Sequence, residues 1–553
     1  MLDLPLVSRK PWPLESIASS ASCLVKMIVK SLSPPPKRTR SFHLSHLDQN
    51  VVRVYTQTLS IFPFPDQNEA EAAIQALGTG LRLSLKRFPF LAGTLTLADQ
   101  ETGRLALEYP LEISDEEMAC MFRSRQIPLH PETFPHTYDQ LKRKGMPPSA
   151  FKSAMFVPED FANFPGIPAH GEGKVDFEKS DAPAMRVQAY FIPGGLVLSM
   201  YMHHSVLDFS GVTTFWQTFC ANVSQISALR TLEDHEHFDP SSIADAQSKM
   251  RIAIDNVTSR PKDAQVADCY CDGTYEYRKT LPKETKCTQR LLVIPAARVR
   301  EYREQLRPHF PKDTPPTMCN VLAALVWTHV TRARAGRLLK SRYTTTNIGI
   351  ATDLRKRQQP PVPADYMGNM ALFSRGTLNI SDLTAEDRGL VARSQTQGIL
   401  ENVTKVLCSV TQRTIIDVIR KIKSTILGVD NDWISRHLTF FKSIDRITDT
   451  ECALALSFGA DIYITSWLNF GADLRWGIPG TDLGEKSLNG RPEFIRRSYG
   501  PGDGGMIFLP RRRQPANDTE APFEVLVRLA EEDMNRVLNE EGGLSSWADA
   551  AIE

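Results

Sequence analysis

Residues Leu196 to Met202 read Leu-Val-Leu-Ser-Met-Tyr-Met, an almost wholly apolar run of strand length. A strand without a polar face has to be covered on both sides. Just upstream, Met185, Val187, Ala189 and Phe191 alternate with Arg186, Gln188 and Tyr190, and Pro193-Gly194-Gly195 joins the two segments as a turn. Downstream, Ser210-Gly211 opens a segment, Val212 to Ile226, whose Phe215, Trp216 and Phe219 share one side at helical spacing. A buried hairpin that feeds a helix predicts an α/β fold.

The same alternation continues along the chain. Strand patterns fall at Asn50 to Ser60, Thr94 to Leu97, Arg290 to Pro295, Thr344 to Ala351, Tyr463 to Ser466, Met506 to Leu509 and Phe523 to Leu529. Helical patterns fall at Asn68 to Arg87, Ala297 to Leu306, Asn320 to Ala335 and Ala530 to Asn539. Residues 228–288 are polar with little periodicity and are expected to form a surface crossover. Four regions follow: a leader over 1–41 set off by Pro34-Pro35-Pro36, an N-terminal α/β half over 42–227, the crossover 228–288, and a C-terminal α/β half over 289–553. Within the leader, Ile17 to Ser33 reads as an amphipathic helix.

Charge excludes one class of function. Lys plus Arg is 65 and Asp plus Glu is 64, without the basic excess of a nucleic-acid binder. No apolar run reaches the ~18–20 residues of a membrane helix. The opening Met1-Leu2-Asp3-Leu4-Pro5 has acid and proline where a secretory signal is basic and then apolar, so the cytoplasm is the expected compartment. Nine scattered cysteines match neither a disulfide framework nor zinc spacing.

The apolar strand runs straight into His203-His204-Ser205-Val206-Leu207-Asp208. His-x-x-x-Asp also occurs at His235/Asp239 and His309/Asp313, so spacing alone decides nothing. Context does: His235 lies in an acidic stretch and His309 between prolines, whereas His204 ends a buried strand just before a helix. A histidine held there can take a proton near neutral pH. The competing reading is a hydrogen-bonded core histidine; of two neighbours at a strand end, one must face away. A metal site would need third and fourth ligands that the sequence does not supply.

His203-His204-Ser205-Val206-Leu207-Asp208 resembles the HHxxxD signature of the BAHD-type acyl-CoA-dependent acyltransferases, especially their fungal secondary-metabolism relatives. Asp473-Leu474-Arg475-Trp476-Gly477 resembles the family's Asp-Phe-Gly-Trp-Gly, and Thr465-Ser466-Trp467 its Ser/Thr-Ser-Trp. In the same order along the chain stand Leu44-Ser45-His46-Leu47-Asp48-Gln49, Ser84 to Gly93 with its Pro-x-Leu-Ala-Gly turn, Trp327 to Arg334, and Asp353-Leu354-Arg355 followed by Pro360-Pro361-Val362-Pro363 and Tyr366-Met367-Gly368-Asn369. The resemblance covers about residues 42–535. It departs at Phe209, where the family often has glycine, and at Leu474-Arg475.

The resemblance implies an α/β fold of two chloramphenicol-acetyltransferase-like domains with a central channel between them. It implies His204 as general base for direct transfer from acyl-CoA, with acetyl the commonest donor, to a hydroxyl of a polyketide, terpenoid or alkaloid. No permanently bound cofactor is expected; acyl-CoA is a co-substrate, and the protein is expected to act as a monomer. Thr465, Ser466 and Asn369 are expected oxyanion or substrate contacts. Asp208 is expected to fix its loop through Arg355 or to stand solvated at a helix start. Arg355, Lys356 and Arg357 are alternatively the groups that meet CoA phosphates, with Arg511-Arg512-Arg513 a further basic run. Asp473, Trp476 and Gly477 are expected to be structural. Two other classes stay open: a condensation-type catalyst that takes its acyl group from a carrier protein, and a non-catalytic binding member of the fold.

Overall fold

The computed structural model describes residues 38–168, 171, 173–228, 240–256, 269–384, 410–447, 451–481, 490–513 and 520–553. Residues 1–37, His235, Asp239, Cys23 and Cys408 lie outside the described residues.

In chain order the N-terminal half contains β1 (Tyr55–Pro63), α1 (Ala70–Arg87), β2 (Phe122–Gln126), β3 (Met185–Ile192), β4 (Gly195–His203) and α2 (Phe209–Ser227). Then come α3 (Pro240–Asp255), β5 (Cys287–Ile294), α4 (Met318–Lys340), β6 (Thr345–Asp353), β7 (Ala371–Asn379), α5 (Gln412–Leu427), α6 (Asn431–Ser443) and β8 (Ile462–Ser466). The chain ends through β9 (Phe494–Arg496), β10 (Gly505–Phe508), β11 (Phe523–Ala530), α7 (Glu531–Asn539) and β12 (Ala550–Ile552).

β4 is buried along its whole length, as its apolar run requires. It lies at the centre of a five-stranded sheet of order β9-β1-β4-β3-β2. On one side α1 and α2 pack together and close the N-terminal core around Leu77, Leu81, Phe215, Trp216 and Phe219. The C-terminal sheet has seven strands in the order β7-β6-β8-β10-β11-β5-β12. The pairings of β8 with β6 and with β10 are parallel. α4, with Val321 to Val330 buried almost throughout, covers it.

Two features depart from the sequence reading. The segment read as a surface crossover contains the helix α3, whose Ala244, Gln247, Arg251 and Ile254 are buried. Its inward stripe includes Gln and Arg, so apolar periodicity could not find it. β9, from the C-terminal half, pairs with β1 (Phe494 opposite Ile61) and so completes the N-terminal sheet. A three-residue strand carries too little pattern to be read from sequence.

Candidate active site

β1 and β4 pair with Tyr55 opposite His203. The pleat sends His203 into the N-terminal core, where its ring meets Tyr55 at 5.1 Å and Phe177 at 5.5 Å. It is fully buried. Burial, with the neighbouring His204 and Arg53, pushes its pKa down to about 3, so it stays neutral. His203 Nδ1 accepts from the Ser205 backbone N–H (3.2 Å) and tightens the turn. Strand alternation turns His204 the other way, into a cavity of about 1030 Å³ between the two halves.

The loop from His204 to Asp208 is clamped from both halves. Asp208 caps α2, accepting from the Gly211 N–H (3.0 Å). It also forms a two-bonded pair with Arg355 (2.8 and 2.9 Å) and accepts from the Met370 N–H (3.0 Å). The remaining Arg355 donors reach Tyr366 O, Gly368 O and Asp353. Burial works against the charged guanidinium, but Asp208 and Asp353 outweigh it and hold its pKa above the usual arginine value. The Asn369 side-chain N–H groups donate to the His204 carbonyl (2.7 Å) and to Asp48 (2.8 Å).

The cavity gathers His204, Asp208, Asn369, Thr465 and Ser466, together with Phe209, Trp467 and Phe470. Two expectations need correction. Arg355 is 5% exposed with its donors used inside the protein, so it cannot meet a CoA phosphate. Arg357 donates to Ile426 O (2.8 Å) and Val429 O (3.1 Å), which caps the C-terminal end of α5. Asn369 lines the cavity, with its side-chain N–H groups given to Asp48 and to the His204 carbonyl. Lys356 is exposed and does not line the cavity. In the basic run, Arg511 pairs with Glu520 (2.6 Å) and Arg512 donates to Glu493 O (3.1 Å).

The second motif lies away from His204. Trp476 is buried against Phe62 and Phe219 of the N-terminal half. Gly477 has φ +56° and faces Ser224. Asp473 accepts from the Arg513 backbone N–H (3.1 Å), which closes a loop. None of the three lines the cavity. Among the described residues no cluster of His, Cys, Asp and Glu has metal-binding geometry, and no helix is long and apolar enough to cross a membrane.

A model of the Transferase family matches residues 172–541, and one of the Trichothecene 3-O-acetyltransferase-like N-terminal domain matches residues 54–222. The chain belongs to the Transferase family. The resemblance to BAHD-type and fungal acyltransferases is borne out, and the protein is an acyltransferase. It is 24% identical to a trichothecene 8-O-acetyltransferase of Fusarium sporotrichioides over 92% of this chain and 98% of that one. It is 23% identical to the O-acetyltransferase astG of Aspergillus oryzae over 88% and 97%. Its fold is that of TRI101 from F. sporotrichioides, solved with coenzyme A and T-2 (TM-score 0.68, 17% identity, 93% and 100% covered). Vinorine synthase shares it at a TM-score of 0.52, with 16% identity and 91% and 93% covered. The two-domain, chloramphenicol-acetyltransferase-like fold with a channel between the halves follows from these likenesses.

In this Transferase-family chain the departures from the motif have structural occupants. Phe209 stacks on Trp467 (4.1 Å, 15°) with Phe470 beside it (5.2 Å), an aromatic seam between the halves. Leu474 packs on the N-terminal core, and the Arg475 carbonyl accepts from the Cys220 thiol (2.9 Å). Sequence reasoning missed Arg251 and Gln247 on α3 and gave Asp48 no role. The signal for the first two was the spacing 244, 247, 251, 254, legible only if polar residues are allowed on a buried stripe.

Proposed function

We propose that this protein transfers an acyl group, acetyl in the first instance, from coenzyme A to a hydroxyl of an apolar small-molecule acceptor, with His204 as general base. One observation carries the reading: of two adjacent histidines only His204 faces the cavity between the halves, on a loop clamped by Asp208–Arg355 and Asn369. The activities of the relatives, fungal O-acetyltransferases that include a trichothecene 8-O-acetyltransferase, support the donor and acceptor classes. His204 takes the acceptor O–H proton as that oxygen bonds to the thioester carbonyl carbon. The C–S bond then breaks, and the proton passes to the departing sulfur, leaving an ester and free CoA thiol. Both substrates are held at once, so no acyl-enzyme is required. Thr465 and Ser466, at the end of β8 and on the cavity wall, are the proposed donors to the developing oxyanion. The cavity, lined also by Phe177, Phe373, Tyr463 and Leu454, suits a bulky apolar acceptor. The reading further places the enzyme as a monomer in the cytoplasm, where acyl-CoA is available.

The test is acceptor-dependent thiol release from a panel of acyl-CoAs by wild type and His204→Ala. A loss of about 10²–10⁴-fold in the variant is expected for a missing general base. Equal rates would remove His204 from the mechanism. No release from any acyl-CoA, with binding to an acylated carrier protein, would move the protein to the condensation class.

A further inference from the structure

His204 is oriented by its backbone. No described group hydrogen-bonds its Nδ1, so the imidazole stands where its loop puts it. The carbonyls of that loop are therefore the points at which the base is aimed, and two of them are held by side chains. Asn369 holds the carbonyl of His204; the carbonyl of Val206 accepts from Arg251 Nη2 (2.9 Å).

Arg251 belongs to none of the motifs. It comes from α3, in the segment that links the halves, and it is fully buried. A buried guanidinium is costly unless its charge and its N–H groups are met. Its Nε donates to Asp48 (2.9 Å), itself fully buried, and Nη1 reaches Gln247 on the same helix (3.3 Å). Phe42 lies under the guanidinium at 4.6 Å. Asp48 in turn accepts from the backbone and side-chain N–H of Asn369 (both 2.8 Å). One hydrogen-bonded chain thus joins Arg251 to both held carbonyls: directly at Val206, and through Asp48 and Asn369 at His204. Sterics agree, because a Cβ on Gly368 would stand 2.9 Å from the Arg251 Cζ. α3 also steadies the opposite clamp: Gln247 accepts from the Met367 N–H (2.9 Å) and donates to Asp365 O (2.8 Å), flanking the Tyr366 carbonyl that Arg355 uses.

We infer that Arg251 is a positioning residue for the catalytic loop, acting through the Val206 carbonyl and the Asp48–Asn369 bridge. The inference rests on the reading of His204 as the base. Lysine at 251 keeps a positive charge beside Asp48 but cannot reach Asp48 and Val206 from two edges at once.

The experiment is a double-mutant cycle of Arg251→Lys and His204→Ala in the full-length chain, read as kcat and KM with acetyl-CoA. Arg251→Lys is expected to lower kcat by about tenfold to a hundredfold, the scale of a misplaced catalytic group, with KM for acetyl-CoA little changed. In the His204→Ala background it is expected to cost nothing further, because the group it aims is gone. An unchanged kcat in Arg251→Lys overturns the inference, as does a loss that persists without His204. If His204→Ala itself has the wild-type rate, the base reading falls first. Where steady-state turnover of the His204→Ala background is too slow to measure, single-turnover rates replace kcat in the same cycle and are read in the same way. Should Arg251→Lys not fold, the nearly isosteric Asp48→Asn, which removes the charge that anchors Arg251, takes its place in the same cycle.

Discussion

Two adjacent histidines of identical chemistry have opposite fates because a strand's side chains alternate. His203, walled by Tyr55 and Phe177, stays neutral down to about pH 3. In the unfolded chain its pKa would return to about 6.5. Below that pH the unfolded chain therefore binds a proton that the folded one refuses, so acid destabilises the fold. The slope from this group approaches ~1.4 kcal/mol per pH unit between the two pKa values and vanishes above the upper one. His203→Asn preserves an acceptor for the Ser205 N–H and removes the titration. Its melting temperature is expected to fall less than that of wild type as pH drops from 6.5 to 4.5. Parallel curves by circular dichroism would contradict this account of His203.

Among elements, the turn that carries Trp476 and Gly477 is a packing device. Trp476 fills the N-terminal core from the other half of the chain, and truncating such a side chain costs about 3–5 kcal/mol. Gly477 at φ +56° is in the left-handed region, where a Cβ costs about 1–2 kcal/mol. Trp476→Ala and Gly477→Ala are both expected to lower the melting temperature, the first by far more, while kcat well below the transition stays near wild type. A large fall in kcat for folded Gly477→Ala would return this turn to the catalytic machinery. The α4 segment from Trp327 to Arg334 is structural in the same way, with the Trp327 indole on Thr346 (3.3 Å) and Arg334 buried against Asp503 (2.5 Å). The elements legible in the sequence were those with an unmixed period, such as β4 and α2. α3 was not, because a stripe that buries Gln247 and Arg251 reads as a solvated face.

Across the whole molecule the halves are interlocked. β9 leaves the C-terminal half to extend the N-terminal sheet. Its Arg496 is buried and forms a two-bonded pair with Glu524 of β11 in the other sheet (both 2.8 Å), while also donating to Met146 O (3.1 Å). Arg355 and Asn369 reach across in the same direction to hold the loop of His204. Calorimetry is therefore expected to show one unfolding transition for both halves. Arg496→Met, which leaves Glu524 without its partner in a largely buried pair, should lower it by about 3–5 kcal/mol without splitting it. Two resolved transitions in the wild type would mean that the halves are stabilised separately.

By itself the sequence determined the local unit, an apolar strand ending in His204 and turning into a helix at Asp208, and the order of motifs that identifies the family. Those depend on periodicity and on neighbours a few residues apart, which a linear reading contains. Tertiary structure decided which histidine faces the cavity, and it chose between the two expectations for Asp208: a pair with Arg355, 147 positions away, rather than a solvated helix start. It also committed Arg355 and Arg357 to protein groups rather than to ligands, and made Arg251 of a polar linking segment part of the site. A buried ion pair forms only where chain closure removes two charges from water together, and no spacing along the chain records where that happens.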